Sequence, residues 1–323
     1  MSLAAGGAVA LAAALDRTLS EPPARIHPVA WLGRTVAALD ARLPDVRVTG
    51  VALATLVPFG FGASLAAPIL VVDGRFGSAV IGEGPIVAAV LAGVALFVCS
   101  SHRMLIEEAD AVVSLSTADL PEARTRLRSL AGRDAEELTP DGIRSAAVES
   151  AAENLADGLL APYLAFAVGV AFAGALGTAA HVALAFGTAA AGWVKGVNTL
   201  DSMLGYRDRA AGWAPARLDD VVMWVPARTA ALLLAFVAGP TRVPDTLGRA
   251  GRAASRPPSP NSGWPMATIA SIGRIRLEKP DAYTLFPENA PPTVADARGS
   301  VRLVSRAGWV GIVGVALTVV VVA

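Results

Sequence analysis

The chain has 323 residues, 54% of them hydrophobic and only 17% charged, with a mean hydropathy of +0.54. A soluble domain carries about 25% charged residues, so this balance excludes an ordinary soluble protein and indicates one built for the bilayer. Lys+Arg and Asp+Glu both number 27, so no global basic field points to nucleic acid, and the single Cys99, inside an apolar run, supports neither a disulfide framework nor a Cys-rich metal site.

Uncharged runs at 1–15, 48–72, 84–101, 158–194 and 307–323 set the organisation. A helix needs about 20 residues to cross the hydrocarbon core. Residues 1–15 have no Lys or Arg before them and Asp16-Arg17 directly after, so they read as a retained first membrane helix, short for a span, rather than a cleaved signal. The loop DRTLSEPPARIHPVAWLG (16–33) follows and holds His27, which can serve as a phosphate contact, a proton carrier or a ligand. A lone loop histidine is more often structural. The run 48–72 is long enough to span, and 84–101 nearly so. Between them 73–84 holds only Arg75 and two acids, whereas 16–47, 102–157 and 240–306 are rich in arginine. The positive-inside rule places those three regions in the cytoplasm and 73–84 outside.

Region 102–157 reads as helical hairpins over the membrane surface. Asp119 before Pro121 and Thr139 before Pro140 are helix-start signals. The second start opens a helix through ESAAENLADG (149–158), which puts Glu149, Glu153 and Asp157 at i, i+4 and i+8 on one face, with Asn154 beside them. Three carboxylates in a row repel one another, and a divalent metal or metal-bound phosphate is the natural compensation. The competing explanation is a solvated helix face.

The run 158–194 is long enough for a helical hairpin interrupted near Gly174–Gly177, which returns 195–220 to the cytoplasmic side. That stretch contains VNTLDSMLGYRDRAAGWAPARLDD (197–220), in which Asn198, Asp201 and Ser202 are metal or phosphate ligand types. Asp219-Asp220 is an acidic pair near Arg217, and Arg207 and Arg209 present forks that match phosphate or carboxylate oxygens. Segment 221–241 can enter the membrane only by taking Arg228 with it, so it reads as a re-entrant or half-buried helix. Arg228 is then expected to face a polar cavity, partnered by Asp219, Asp220 or a substrate phosphate. SPNSGWPMA (259–267) rigidifies the backbone around Asn261 and Trp264, with an interfacial Trp as the plainer explanation. Residues 251–266 and 287–293 read as loops, 307–323 as a final span, and no stretch alternates as a strand would. The expectation is an all-α, polytopic membrane protein with cytoplasmic helical segments, forming a single integral membrane domain over 1–323.

Taken together, DRTLSEPPARIHPVAWLGR (16–34), LAGRD (130–134), ESAAENLADGLLAP (149–162), VNTLDSMLGYR (197–207), GWAPARLDD (212–220), VPAR (225–228) and SPNSGWPMA (259–267) resemble the CobD/CbiB family of cobalamin biosynthesis, in family order. The resemblance implies an ATP-dependent ligation of (R)-1-aminopropan-2-ol, or its O-phosphate, to a side-chain carboxylate of the corrinoid cobyric acid, giving cobinamide or its phosphate. ATP and Mg²⁺ are the implied co-substrate and metal, with the corrinoid as substrate. Residue chemistry then suggests Glu153, Asp157, Asp201 and Arg217 as catalytic groups. It suggests Glu149, Glu153, Asp157, Asp219 and Asp220 as metal ligands. His27, Asn154, Asn198, Arg207, Arg228, Asn261 and Trp264 are the suggested substrate contacts. The expected setting is the cell membrane, multi-pass, with the site on the cytoplasmic side. The lipid bilayer and the corrinoid are the expected partners; nucleic acid is not one. A homo-oligomer, or association with other corrinoid-pathway enzymes, stays open. Two other readings compete: a Mg²⁺-dependent phospho- or prenyl-transferase acting on lipid, and a non-enzymatic sensor of the AmpE type.

Overall fold

A computed structural model describes residues 2–19, 21–76, 84–131, 135–206 and 208–322. They are almost entirely helical. In chain order the helices are α1 (Ser2–Thr18), α2 (Pro28–Asp40), α3 (Arg47–Phe76), α4 (Gly84–Cys99), α5 (His102–Ala118), α6 (Leu120–Ala131) and α7 (Pro140–Asn154). A π-helical turn, Leu155–Leu160, carries α7 directly into α8 (Ala161–Ala175). There follow α9 (Ala180–Leu204), α10 (Trp213–Val222), α11 (Trp224–Ala238), α12 (Val243–Ala253) and α13 (Gly263–Gly273). A short antiparallel hairpin, β1 (Leu277–Lys279) with β2 (Tyr283–Leu285), precedes α14 (Val294–Val322).

Local chemistry explains the starts. Thr139 accepts from the Gly142 N–H at 3.2 Å with Pro140 in the first turn, and Asp119 Oδ1 accepts from the Glu122 N–H at 3.1 Å. Thr293 and Asp296 cap each other reciprocally at the head of α14, so that helix begins well before the uncharged run at 307. The hairpin corrects the expectation of no sheet: its strands are three residues each, too short to show alternation, and are pinned by the buried pair Leu277 and Leu285. Segment 251–266 is likewise not all loop, because α13 starts at Gly263.

Among the described residues, four helical stretches are long and apolar enough to cross a membrane: Arg47–Val71, Ile86–Ala118, Pro140–Ala175 and Val294–Val322. The pair α10 and α11 would be a fifth, bent by 45° at a break, the geometry of a broken span or re-entrant loop. Leu56, Phe59, Val168, Phe172, Leu317 and Val321 lie exposed on these helices, as side chains solvated by lipid rather than water do.

The chain divides into two compact units. The first comprises Met1–Ser101, Ala161–Val222 and Ile312–Ala323. Its centre is α9, which packs against α3, α8, α4, α2 and α10. The α3–α9 contact is backbone to backbone: a Cβ on Gly62 would collide with the Ala189 carbonyl oxygen, and one on Gly192 would come within 2.9 Å of the Gly62 Cα. Small residues at such a crossing let two helices approach closely and gain dispersion contacts. Cys99 is buried in this unit's core, as a small hydrophobe would be. The second unit comprises His102–Leu160 and Met223–Gly311. In it α5 packs on α6 and α7, α13 on α11 and α12, and β1 on α7. Arg144, buried in α7, donates to the Pro292 carbonyl at 2.7 Å and to Ser116 Oγ at 3.2 Å, and pairs with Asp141. A guanidinium can be buried here because its forks are used.

Candidate functional site

In the first unit, the motif residues gather around α9. His27 caps α2: its Nδ1 accepts from the Val29 N–H at 3.1 Å, and its Nε2 lies 3.8 Å from Glu21 Oε2. Burial, then the charge of Lys195, lowers the His27 pKa. Burial raises that of Glu21 against the lowering influence of Lys195 and a hydrogen bond from Ser101, with Asp16 raising it further. His27 thus has a structural task, and it sits in a charged cluster with Glu21 and Lys195. Neither partner stood out in the sequence, although Lys195 is one of only two lysines and falls at the edge of the longest uncharged run.

One turn beyond Lys195 on α9, Asn198 is half-buried and its carbonyl accepts from Ser202 Oγ at 2.8 Å. Asp201 Oδ1 is buried and, among the described residues, has no hydrogen-bond partner. Burial, with the charge of Asp220 adding to it, pushes the Asp201 pKa up to about 6. Asp219 and Asp220 on α10 are half-buried, and the exposed Arg217 reaches Asp220 at 3.7 Å. Arg207 lies outside the described residues. Arg209 is not available to a substrate: its fork clasps Asp40 at 2.6 and 3.0 Å, and that bond lowers the Asp40 pKa.

In the second unit, the carboxylate row is not assembled as the spacing suggests. Glu149 is 2% exposed and both its oxygens accept hydrogen bonds at 2.8 Å, from Ser145 Oγ and from Tyr283 OH. Ser145 Oγ is also the acceptor for the Glu278 N–H at 2.7 Å, so the pair fastens the hairpin to α7. Each oxygen of this carboxylate thus has a hydroxyl donor. Glu153 and Asp157 are half-buried, and Asp157 falls in the π turn, whose wider i→i+5 pattern shifts it in phase from Glu149 and Glu153. Asn154 Nδ2 donates to the Ser150 carbonyl at 3.0 Å and to Ser150 Oγ at 3.2 Å.

Arg228, on α11, is half-buried between two indoles, 4.7 Å from the Trp224 ring and 5.3 Å from that of Trp264. Its guanidinium donates to Asn261 Oδ1 and to the Pro260 carbonyl at 3.1 Å. The polar surroundings are therefore supplied by the SPNSGWPMA loop, where the sequence suggested Asp219 or Asp220. Asn261 is 3% exposed and holds this corner rigid.

Among the described residues, no three His, Cys, Asp or Glu side chains form a group that could hold a metal by themselves. Mg²⁺ does not require one, since it usually takes one or two carboxylates and completes its shell with phosphate oxygens and water. Asp201 with Asp220 fits that donor set, because a buried carboxylate oxygen without a partner, beside a second negative charge, is relieved by a cation. Glu149, by contrast, already has a donor on each oxygen.

A family model described as CobD/Cbib protein matches residues 9–306. A "Probable cobalamin biosynthesis protein CobD" from Methanothrix thermoacetophila is 35% identical over 303 residues, covering 92% of this chain and 91% of its own. The "Cobalamin biosynthesis protein CobD" of Geobacter metallireducens is 34% identical, over 93% and 92% of the two chains. That of Rhodobacter capsulatus is 33% identical, over 92% of each. No solved structure matches.

Proposed function

We infer the function from one premise: this chain belongs to the CobD/CbiB protein family, and it is a membrane-associated enzyme of cobalamin biosynthesis that acts on a corrinoid. We propose that its reaction is the ATP-dependent ligation of an amino alcohol, (R)-1-aminopropan-2-ol or its O-phosphate, to a corrin side-chain carboxylate. A carboxylate does not acylate amines, so it must first be activated. A carboxylate oxygen attacks the γ-phosphorus of ATP, the bond to the β-phosphate oxygen breaks, and an acyl phosphate and ADP result. The neutral amine then attacks the acyl carbon, the C–O bond to phosphate breaks, and nitrogen releases a proton, leaving amide and inorganic phosphate.

The observation that carries this reading is Asp201, with its buried oxygen unpartnered among the described residues and Asp220 beside it. This pair, with Asp219 next to it, would hold Mg²⁺, whose charge offsets that on phosphate oxygens during phosphoryl transfer. Arg217 is exposed and close to Asp220, which suits it to meet an incoming phosphate. Arg228 is already oriented by two rings and two acceptors, so its role is to hold a substrate group in fixed geometry. Glu153 and Asp157 remain proposed catalytic carboxylates, exposed enough to exchange protons with solvent.

Purified full-length protein in neutral-lipid nanodiscs should convert cobyric acid, ATP and either amine to amide, ADP and phosphate in equal amounts, read by mass spectrometry. Absence of amide with both amines would sink the ligation reading. The arginine-rich regions support a multi-pass protein with its site facing the cytoplasm. Cysteines introduced at the exposed positions Thr117 and Ser255 should resist an impermeant reagent in intact cells and label after lysis.

A further inference from the structure

Within the second unit is a cavity of about 490 Å³ that the sequence did not suggest. Four guanidiniums line it: Arg249 and Arg252 from α12, Arg256 from the turn three residues beyond it, and Arg274 from the end of α13. Phe286 supplies an aromatic wall. Among the described residues Glu288 is the one acid in the lining, so these side chains carry a formal excess of three positive charges, four arginines less one glutamate.

Arginines on a membrane protein are often solvated charges that obey the positive-inside rule, but three features set these apart. First, they converge on one concavity within the roughly 300–1,000 Å³ of small-molecule sites. Second, two of them are not used by the fold: Arg249 donates to Ser271 Oγ at 3.0 Å and Arg256 to the Thr284 carbonyl at 2.7 Å, while Arg252 and Arg274 have no hydrogen bond or ion pair among the described residues. Third, the backbone is strained at the lining. Three described non-glycine residues have positive φ, and two of them, Arg274 and Phe286, both at φ 51°, face this cavity. At the C-terminal cap of α13 a glycine would be the easy choice, and a phenylalanine in the left-handed region is a steric outlier. Such strain persists where surrounding structure and function hold it.

We propose that this cavity binds a nucleoside triphosphate, with the oligophosphate on the arginine forks and the base against Phe286. Planar guanidiniums bond phosphate oxygens in pairs, and an aromatic face stacks any base. Asn289, also in the lining, offers both a donor and an acceptor to a base edge. The identification of this nucleotide with the ATP of the ligation rests on the reading above; the site itself does not.

The test uses full-length protein in phosphatidylcholine nanodiscs and a non-hydrolysable ATP analogue, β,γ-imido-ATP. Wild type should bind the analogue, and inorganic triphosphate should compete. Arg252→Ala changes an exposed helix position, and Arg274→Gly places the preferred residue at the cap, so both should fold at least as well as wild type. Each should weaken binding tenfold or more and raise the KM for ATP correspondingly. Wild-type affinity in both variants, or displacement of the analogue when phosphatidylglycerol replaces part of the phosphatidylcholine, overturns the proposal; the second outcome makes the cavity a lipid-headgroup site. Undiminished binding of the analogue by both variants, beside intact ATP-dependent ligation, sinks this inference and leaves the ligation standing. Nucleotide binding that the variants lose, in a protein that forms no amide, does the reverse.

Discussion

Glu149 and Asp201 are both acidic residues in motifs of one family, and the fold treats them in opposite ways. Glu149 lies deeper, yet its charge is accommodated, because Ser145 and Tyr283 each donate to one oxygen. Asp201 is less enclosed, yet its buried oxygen meets no donor among the described residues and a second carboxylate stands nearby. A buried carboxylate with its donors supplied fastens structure together. One left without a donor is relieved by a proton or by a cation. Spacing in the sequence drew more attention to Glu149, since three acids at helical intervals look more like a metal site than one aspartate in NTLDSM.

The sharpest way to break the comparison is Asp201→Asn. It should lower Mg²⁺-dependent turnover by about 100-fold, roughly 2.7 kcal/mol of transition-state stabilisation, in initial rates measured across a Mg²⁺ titration. A near-normal rate would move the cation elsewhere. Arg228→Leu should cost about tenfold or more in turnover while membrane insertion is kept, and Arg228→Lys should not rescue it. An ammonium lacks the planar fork that lies between Trp224 and Trp264 while bonding Asn261 and Pro260.

Glu149→Gln should behave as the mirror image of Asp201→Asn. Turnover per folded molecule should stay within about threefold, whereas stability should fall by about 1–3 kcal/mol in denaturant titration, because charge-assisted bonds are lost in a buried place. Tyr283→Phe should remove one of those bonds at a cost of about 1 kcal/mol. If either variant instead abolished Mg²⁺ dependence, the row would regain its claim.

The smallest effect is in pH. A folded-state pKa of about 6 at Asp201, against an unfolded value near 3.8, means the folded protein holds a proton that the unfolded chain has released between those values. Stability contributed by this group is therefore present below pH 4, falls as pH rises through about 6, and is level above. Partial exposure limits the drop to about 1 kcal/mol. Glu21 adds to that slope and His27 opposes it, so the difference between wild type and Asp201→Asn isolates the aspartate. Saturating Mg²⁺ should restore the lost stability in wild type alone.

Elements governed by neighbouring residues were legible in the sequence: the apolar runs, the caps at Asp119 and Thr139, and the all-α class. Contacts between distant residues were not. Arg209 looked available for a substrate because nothing local claims it, and its partner Asp40 is brought to it only by tertiary packing. Lys195 gave no hint that Glu21 and His27 lie nearby. The arginine-lined cavity draws on α12, α13 and the segment after β2, so the same residues read along the chain as a diffuse cytoplasmic charge. The π turn escaped because an apolar stretch leading on from α7 reads as ordinary helix.

The glycine crossing of α3 and α9 also has a bearing on how the protein is made. All of the chain between Gly62 and Gly192 must be synthesised before the crossing can close, a delay of roughly 10 s at about 5–20 residues per second. Until then the crossing face of α3, which carries Pro58, Gly62 and Leu65, presents no polar side chain, so waiting costs it little. Its partner arrives as the second arm of the α8–α9 hairpin. The crossing is thus a late-docking surface, and a methyl group at Gly62 or Gly192 would show itself first as slow or failed maturation of newly made protein.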